Sequence, residues 1–147
     1  MNELLSYQSA NGLGFNDPSE RAEELFGKPR LEQRNREGEL ELFHDDFILR
    51  FSADGSGFRE CTVPFDSSIR LDGEELGWTE ADLESLCKLD GEPMEFHGTV
   101  ILFGKGVALT GMGKGEESDR SVTLFRRGDW DAFKEGMKRY PLGRGGK

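Results

Sequence analysis

The stretch Glu39 to Phe51, ELELFHDDFILRF, returns without a gap as Thr99 to Gly111, TVILFGKGVALTG. Two short apolar runs flanking a polar turn, written twice, restrict the chain to architectures that use one hairpin design in two places. In each copy the first run ends in Leu-Phe, at Leu42-Phe43 and Leu102-Phe103. The second opens with Phe47 or Val107 and carries a leucine at Leu49 or Leu109. Upstream of the copies stand Gly27-Lys28-Pro29 and Gly91-Glu92-Pro93, and downstream Arg59-x-x-Thr62-Val63 is echoed by Arg120-x-x-Thr123-Leu124.

Taken in order, residues 1 to 12 carry few apolar side chains and read as a lead-in. Asp17 is placed to cap a first helix, with Pro18 at its first position and Glu20 completing a capping box. Gly27 then ends that helix and Pro29 blocks its continuation. Residues 30 to 38, RLEQRNREG, form a charged connector. Alternation in ELELF puts Leu40 and Leu42 on one face, and Phe47, Leu49 and Phe51 share a face in FILRF. Asp54-Gly55-Ser56-Gly57 turns the chain into a third strand, Phe58 to Val63. Pro64 to Gly77 is a linker with a short strand at Ser68 to Leu71. Thr79, with Asp82 three residues on, caps a second helix that runs to Gly91. Strands follow at Thr99 to Phe103, Gly106 to Gly111 and Arg120 to Phe125. Trp130, Phe133 and Met137 recur at helical spacing behind Asp129, which predicts a C-terminal helix.

The expected fold is therefore α+β: two tandem repeats of a helix and a three-stranded antiparallel meander, sharing a sheet, plus the C-terminal helix. It forms a single domain, 1–147, with repeats at 13–63 and 78–125 and the last helix at 129–140.

The net charge of −10 opposes binding to nucleic acid or anionic lipid and favours basic partners. Charged residues make up 33% of the chain, yet the eleven phenylalanines fall inside periodic segments, as a folded core requires. Cys61 and Cys87 match no CxxC spacing and read as free thiols. The N-terminus, MNELLSYQSANG, lacks an export signal, and no apolar run is long enough to cross a bilayer; both point to the cytoplasm.

No chemical motif stands out. Ala108 to Gly115, ALTGMGKG, departs from a phosphate-binding loop at its first glycine and at its magnesium-binding hydroxyl, and it lies between strands. His44-Asp45-Asp46 lacks distant partners for a metal, and Asp54-Gly55-Ser56-Gly57 lacks the bidentate glutamate of a calcium loop. A Cys87-His97 pair has no orienting third residue. The reading is of a non-enzyme with no cofactor and no metal.

If Leu40, Leu42, Phe47, Leu49, Cys61 and Val63 face the helices, then Glu39, Glu41, Phe43, Ile48, Arg50 and Glu60 face the other way, joined by Ile101, Phe103, Thr110, Thr123 and Phe125. Aromatic anchors among carboxylates suit a protein-binding surface. The partner-binding residues expected are Glu39, Glu41, Phe43, Asp45, Asp46, Arg50 and Phe103, with Glu116, Glu117 and Asp119 from a mobile loop.

Leu25-Phe26-Gly27-Lys28-Pro29, followed by the hairpin at Glu39 to Phe51, resembles the helix-end signature of the outer-membrane small-protein-A family, the E component of the barrel-assembly machinery. Leu89-Asp90-Gly91-Glu92-Pro93 is a looser copy. A tandem pair of such modules is similar in arrangement to the beta-lactamase inhibitory proteins, in which paired sheets grip an enzyme. For an acidic chain without an export signal, the resemblance implies a bacterial immunity protein. Such a protein would bind a cognate toxin or secreted effector with a basic active site and occlude that site, with no role for nucleic acid or membrane. The alternatives are a cytosolic chaperone or adaptor for a secreted protein, and a small enzyme using Cys87 and His97.

Overall fold

A computed structural model describes residues 2–64, 68–91, 93–111 and 120–140. Two sheets form the bulk of the molecule, and they correct the α+β reading of helix-plus-three-strand repeats closed by a helix. The larger has nine strands, antiparallel at every pairing, in the order β14-β10-β11-β12-β13-β7-β6-β5-β4. Its members are β4 (Leu31–Arg34), β5 (Leu40–Phe43), β6 (Ile48–Phe51) and β7 (Phe58–Pro64) on one side. On the other are β10 (Met94–Phe96), β11 (Thr99–Leu102), β12 (Val107–Thr110), β13 (Ser121–Phe125) and β14 (Lys138–Arg139). The halves join where β7 pairs with β13. In chain order four strands lead up to that seam in each half, β4 to β7 and β10 to β13, one more than the alternation alone predicts, and β14 adds a fifth to the second half.

The extra strand in the first half is β4, and its burial explains why it is hard to read. All four residues are exposed, so an edge strand of sequence LEQR shows no apolar alternation. The smaller sheet, of order β3-β2-β1-β8-β9, is a second departure from the expected repeats. It comprises β1 (Asn2–Leu5), β2 (Ser9–Ala10), β3 (Leu13–Gly14), β8 (Ile69–Leu71) and β9 (Glu74–Glu75). Here the supposed lead-in and the supposed linker meet, because β1 runs parallel to β8 with Leu4 opposite Leu71.

Two helices, α1 (Ser19–Phe26) and α2 (Glu80–Asp90), precede the two four-strand runs. Thr79 caps α2, and both bonds of its capping box with Asp82 are present. Pro18, not Asp17, is the cap residue of α1 and offers no side-chain bond; the Asp17 carboxylate instead accepts from the Gly14 N–H at 2.9 Å.

The expected C-terminal helix is a 3-10 turn, Asp131–Gly136, with no buried residue. Met137 is extended, φ −105° and ψ 159°, and leads into β14, which pairs with the β10 edge. Asp129 does not act as a helix cap here, because its carboxylate is taken by Arg59 and Arg126 at 3.2 and 3.1 Å. Stacking of Trp130 on Phe125, with ring centroids 4.7 Å apart, anchors the segment to the sheet.

One face of the large sheet builds the main core. Leu42, Leu49, Cys61, Leu102, Leu109 and Leu124 pack there with Ala22 of α1, Leu83 and Cys87 of α2, and Leu4, Leu13 and Ile69 of the small sheet. Each fully buried leucine of this kind is worth about 1.5–3 kcal/mol relative to exposure. The opposite face carries a smaller cluster, Ile101, Ala108 and Phe125 under Trp130 and Met137.

Candidate functional site

That second face is the candidate site, and the strand register fixes its layout. One row across the sheet reads Leu31, Phe43, Ile48, Thr62, Thr123, Ala108, Ile101 and Met94. The next row reads Gln33, Glu41, Arg50, Glu60 and Phe125. Apolar and hydroxyl side chains therefore form one stripe, and charged side chains the next.

The charged stripe is a closed network. Four carboxylates, Glu39, Glu41, Glu60 and Asp129, share three guanidiniums, Arg50, Arg59 and Arg126. Arg50 Nε donates to Glu41 Oε2 at 2.8 Å, and its terminal nitrogen donates to Thr62 Oγ1 at 3.1 Å and Glu60 Oε1 at 3.4 Å. Glu41 is only 7% exposed, and Gln33 and Asn35 also donate to it. Burial pushes the Glu41 carboxyl up, but the bonds from Gln33, Arg50 and Asn35, with the Arg50 charge, outweigh it and hold the group below the usual glutamate value. Glu60 goes the other way. Its burial raises the carboxyl above the usual range despite the Trp130 N–H and the charges of Arg59 and Arg50, and the nearby Glu39 adds to the rise.

Beside this network two recesses open along the apolar stripe. One, of about 480 Å³, is floored by Phe43, Phe47, Ile48 and Thr62 and rimmed by Arg30, Asp45 and Arg120. The other, of about 260 Å³, lies among Ile101, Ala108 and Thr123 under Trp130, Phe133 and Met137. Thr62 and Thr123 mark the ground between them, with their hydroxyls 2.9 Å apart. His44 borders the first recess, its ring against Phe26 and Phe47, and burial lowers its pKa against the raising effect of Asp45.

The expected partner-binding residues separate accordingly. Glu39, Glu41 and Arg50 belong to the closed network. Phe43 and Asp45 line the first recess, with Asp45 paired to Arg30 at 3.4 Å; Asp46 is exposed in the same turn. Phe103 lies at the far end of the face, where the Lys134 ammonium stands 4.4 Å from its ring centroid and the Tyr7 hydroxyl donates to its carbonyl. Glu116, Glu117 and Asp119 lie outside the described residues, as does the second half of ALTGMGKG, 112–115.

Trp130, Phe133 and Phe96 were not among the expected site residues. A helical stripe and a loop hid them, although an exposed pair of aromatics, Phe96 at 37% and Phe133 at 53%, is a signal that burial alone reveals. Cys87 is fully buried, and burial first, then Asp90 and Glu84, pushes its thiol up to about 11. His97 occupies the tight turn between β10 and β11, at φ +50°, with its ring against Phe96. Among the described residues no group of three or more His, Cys, Asp or Glu side chains could hold a metal ion, and no helix is long and apolar enough to cross a membrane. No protein-family model matches the chain, and neither a curated protein nor a solved structure matches it.

Proposed function

We propose that this protein is a bacterial immunity protein, acting in the cytoplasm, that binds a cognate toxin or secreted effector through the second face of its large sheet and occludes the toxin's active site. One observation supports the reading above the others. The second face is cross-linked by the Glu41–Arg50–Glu60 network yet keeps an apolar stripe with two recesses beside it, from Phe43 to Phe133. A preorganised surface with aromatic anchor points is what tight protein recognition uses.

The network also redistributes the roles. Glu39 and Glu41 are matched by Arg59 and Arg50, so they brace the face and leave contact energy to Phe43, Ile48, Thr62 and Phe133. Asp45 and Asp46, exposed at the rim, steer a basic partner toward it.

The test is a calorimetric titration of the product of the adjacent reading frame, together with an assay of its toxicity. Near-stoichiometric binding that abolishes toxicity is expected, with affinity reduced about tenfold or more in Phe43→Ala. A neighbouring product that is harmless or does not bind would sink the immunity reading, and full affinity in both Phe43→Ala and Ile48→Ala would move the interface elsewhere.

A further inference from the structure

The β4 edge of the large sheet has a defined set of free backbone groups. Asn35 N–H donates to Glu39 O at 3.0 Å, and His44 N–H donates to Phe47 O at 2.9 Å. With the β4–β5 register of Leu31 opposite Phe43 and Gln33 opposite Glu41, the alternation of an antiparallel ladder turns residues 31, 33 and 35 toward β5. The N–H and C=O groups of Glu32 and Arg34 therefore point away from the sheet, and the whole strand is exposed.

A short, charged edge ordinarily guards against strand addition. Here the guard depends on register. A second copy adding by a two-fold axis can be centred on residue 32, 33 or 34. Centring on Glu32 places Glu32 against Glu32, and centring on Arg34 places Arg34 against Arg34. Centring on Gln33 makes Glu32 and Arg34 of the two chains hydrogen-bonded partners, so each outward backbone group meets its complement and each carboxylate lies directly across from a guanidinium.

We propose that β4 pairs with β4 of a second copy of this chain, antiparallel and centred on Gln33, so that two nine-stranded sheets become one. The interface is isologous, and it lies at a sheet edge rather than on the face assigned to the toxin, so neither depends on the other. A four-residue edge buries less than the roughly 1,200–2,000 Å² of a stable complex, so the pairing is weak and concentration-dependent.

Sedimentation equilibrium of the full chain, from about 5 μM to about 1 mM, tests it. A monomer–dimer equilibrium is expected. Glu32→Arg or Arg34→Glu alone converts both cross-strand pairs to like charges and weakens the dimer about tenfold, while the double exchange E32R/R34E restores it to within about threefold. Both positions are exposed on the strand, and circular dichroism verifies that each of the three variants is folded. A monomer at every concentration overturns the proposal. So does a dimer that ignores the single exchanges, or one that the double exchange fails to restore.

Discussion

The indole N–H of Trp130 donates to Glu60 Oε2 at 2.8 Å, linking the C-terminal segment to the middle of the large sheet. Burial raises the Glu60 carboxyl above its usual range, so this bond has a partly desolvated acceptor. Trp130→Phe keeps the stack on Phe125 but removes the donor, and should cost about 1–3 kcal/mol in urea unfolding. An unchanged unfolding midpoint would mean the bond is replaced by water at no cost.

Glu60 also makes stability depend on pH with a definite sign. Its folded pKa lies above the ordinary glutamate value, so the protonated form is favoured by folding. The contribution is fully present below the unfolded pKa and is lost as pH rises through the folded pKa. Glu60→Gln keeps an acceptor for Trp130 and cannot titrate. The stability of the native protein relative to Glu60→Gln should therefore decline from about pH 4.5 upward until the folded carboxyl is fully ionised. Parallel curves across that window would show that Glu60 titrates as it does in the unfolded chain.

Gly57 joins the two layers. Asn16 N–H donates to Phe58 O at 3.0 Å and Phe58 N–H donates to Asp17 O at 2.8 Å, so the chain leading into α1 lies directly on the start of β7. A Cβ on Gly57 would fall 2.3 Å from the Asn16 carbonyl oxygen, at a φ of +101° that side chains avoid. Gly57→Ala should cost about 3 kcal/mol or more, a fall in Tm of roughly 6–12 °C for a chain of this size, whereas Gly55→Ala, with open space around it, should cost less. Equal losses at the two positions would rule out the close approach as the cause.

These relationships show where the sequence was transparent. The hairpins around Leu42-Phe43 and Leu102-Phe103 are legible because a sheet buried on one face writes period-two alternation, and Thr79 with Asp82 announces α2 because a capping box is a local bond. β4 and β1 are not legible in this way. An exposed edge carries no alternation, and the pairing of β1 with β8 is a parallel contact across 67 residues of sequence, Asn2 to Ile69, with no short-range signature. The surroundings of the expected binding carboxylates are hidden for a related reason. Composition counts Glu39 and Glu41 as free charge, and only the strand register reveals that Arg59 and Arg50 stand beside them. The C-terminal stripe, Trp130, Phe133 and Met137, has helical spacing, but stacking on Phe125 and the open β10 edge decide its conformation.

The cysteines give a readout of the core. Cys61 is fully buried, and burial pushes its thiol up to about 12, while Cys87 is buried and raised to about 11. A disulfide exchange reagent attacks through the thiolate, so both should react at least about 100-fold more slowly in the native protein at pH 8 than in denaturant. A fast native Cys87 would instead expose a usable nucleophile and revive the enzyme reading.

Arg50 is the cation on which the second face depends. Its guanidinium serves Glu41, Glu60 and the Thr62 hydroxyl at once, and its side chain is 24% exposed against 9% for Glu41. Arg50→Met preserves much of the stem but leaves Glu41 with only the neutral donors Gln33 and Asn35. The expected loss is about 2–4 kcal/mol at pH 7, because a carboxylate is stranded out of water rather than because a strong attraction is lost. The sign follows from Glu41, whose folded pKa is depressed. Its contribution is present above the unfolded pKa and disappears as pH falls through the folded value, so the difference between native protein and Arg50→Met should shrink below about pH 4.5. In the double variant E41Q/R50M the stranded charge is gone, and it should be more stable at pH 7 than Arg50→Met alone. A double variant as unstable as the sum of the two single changes would show that Glu41 and Arg50 act independently, and the face would then owe its rigidity to the backbone ladder alone.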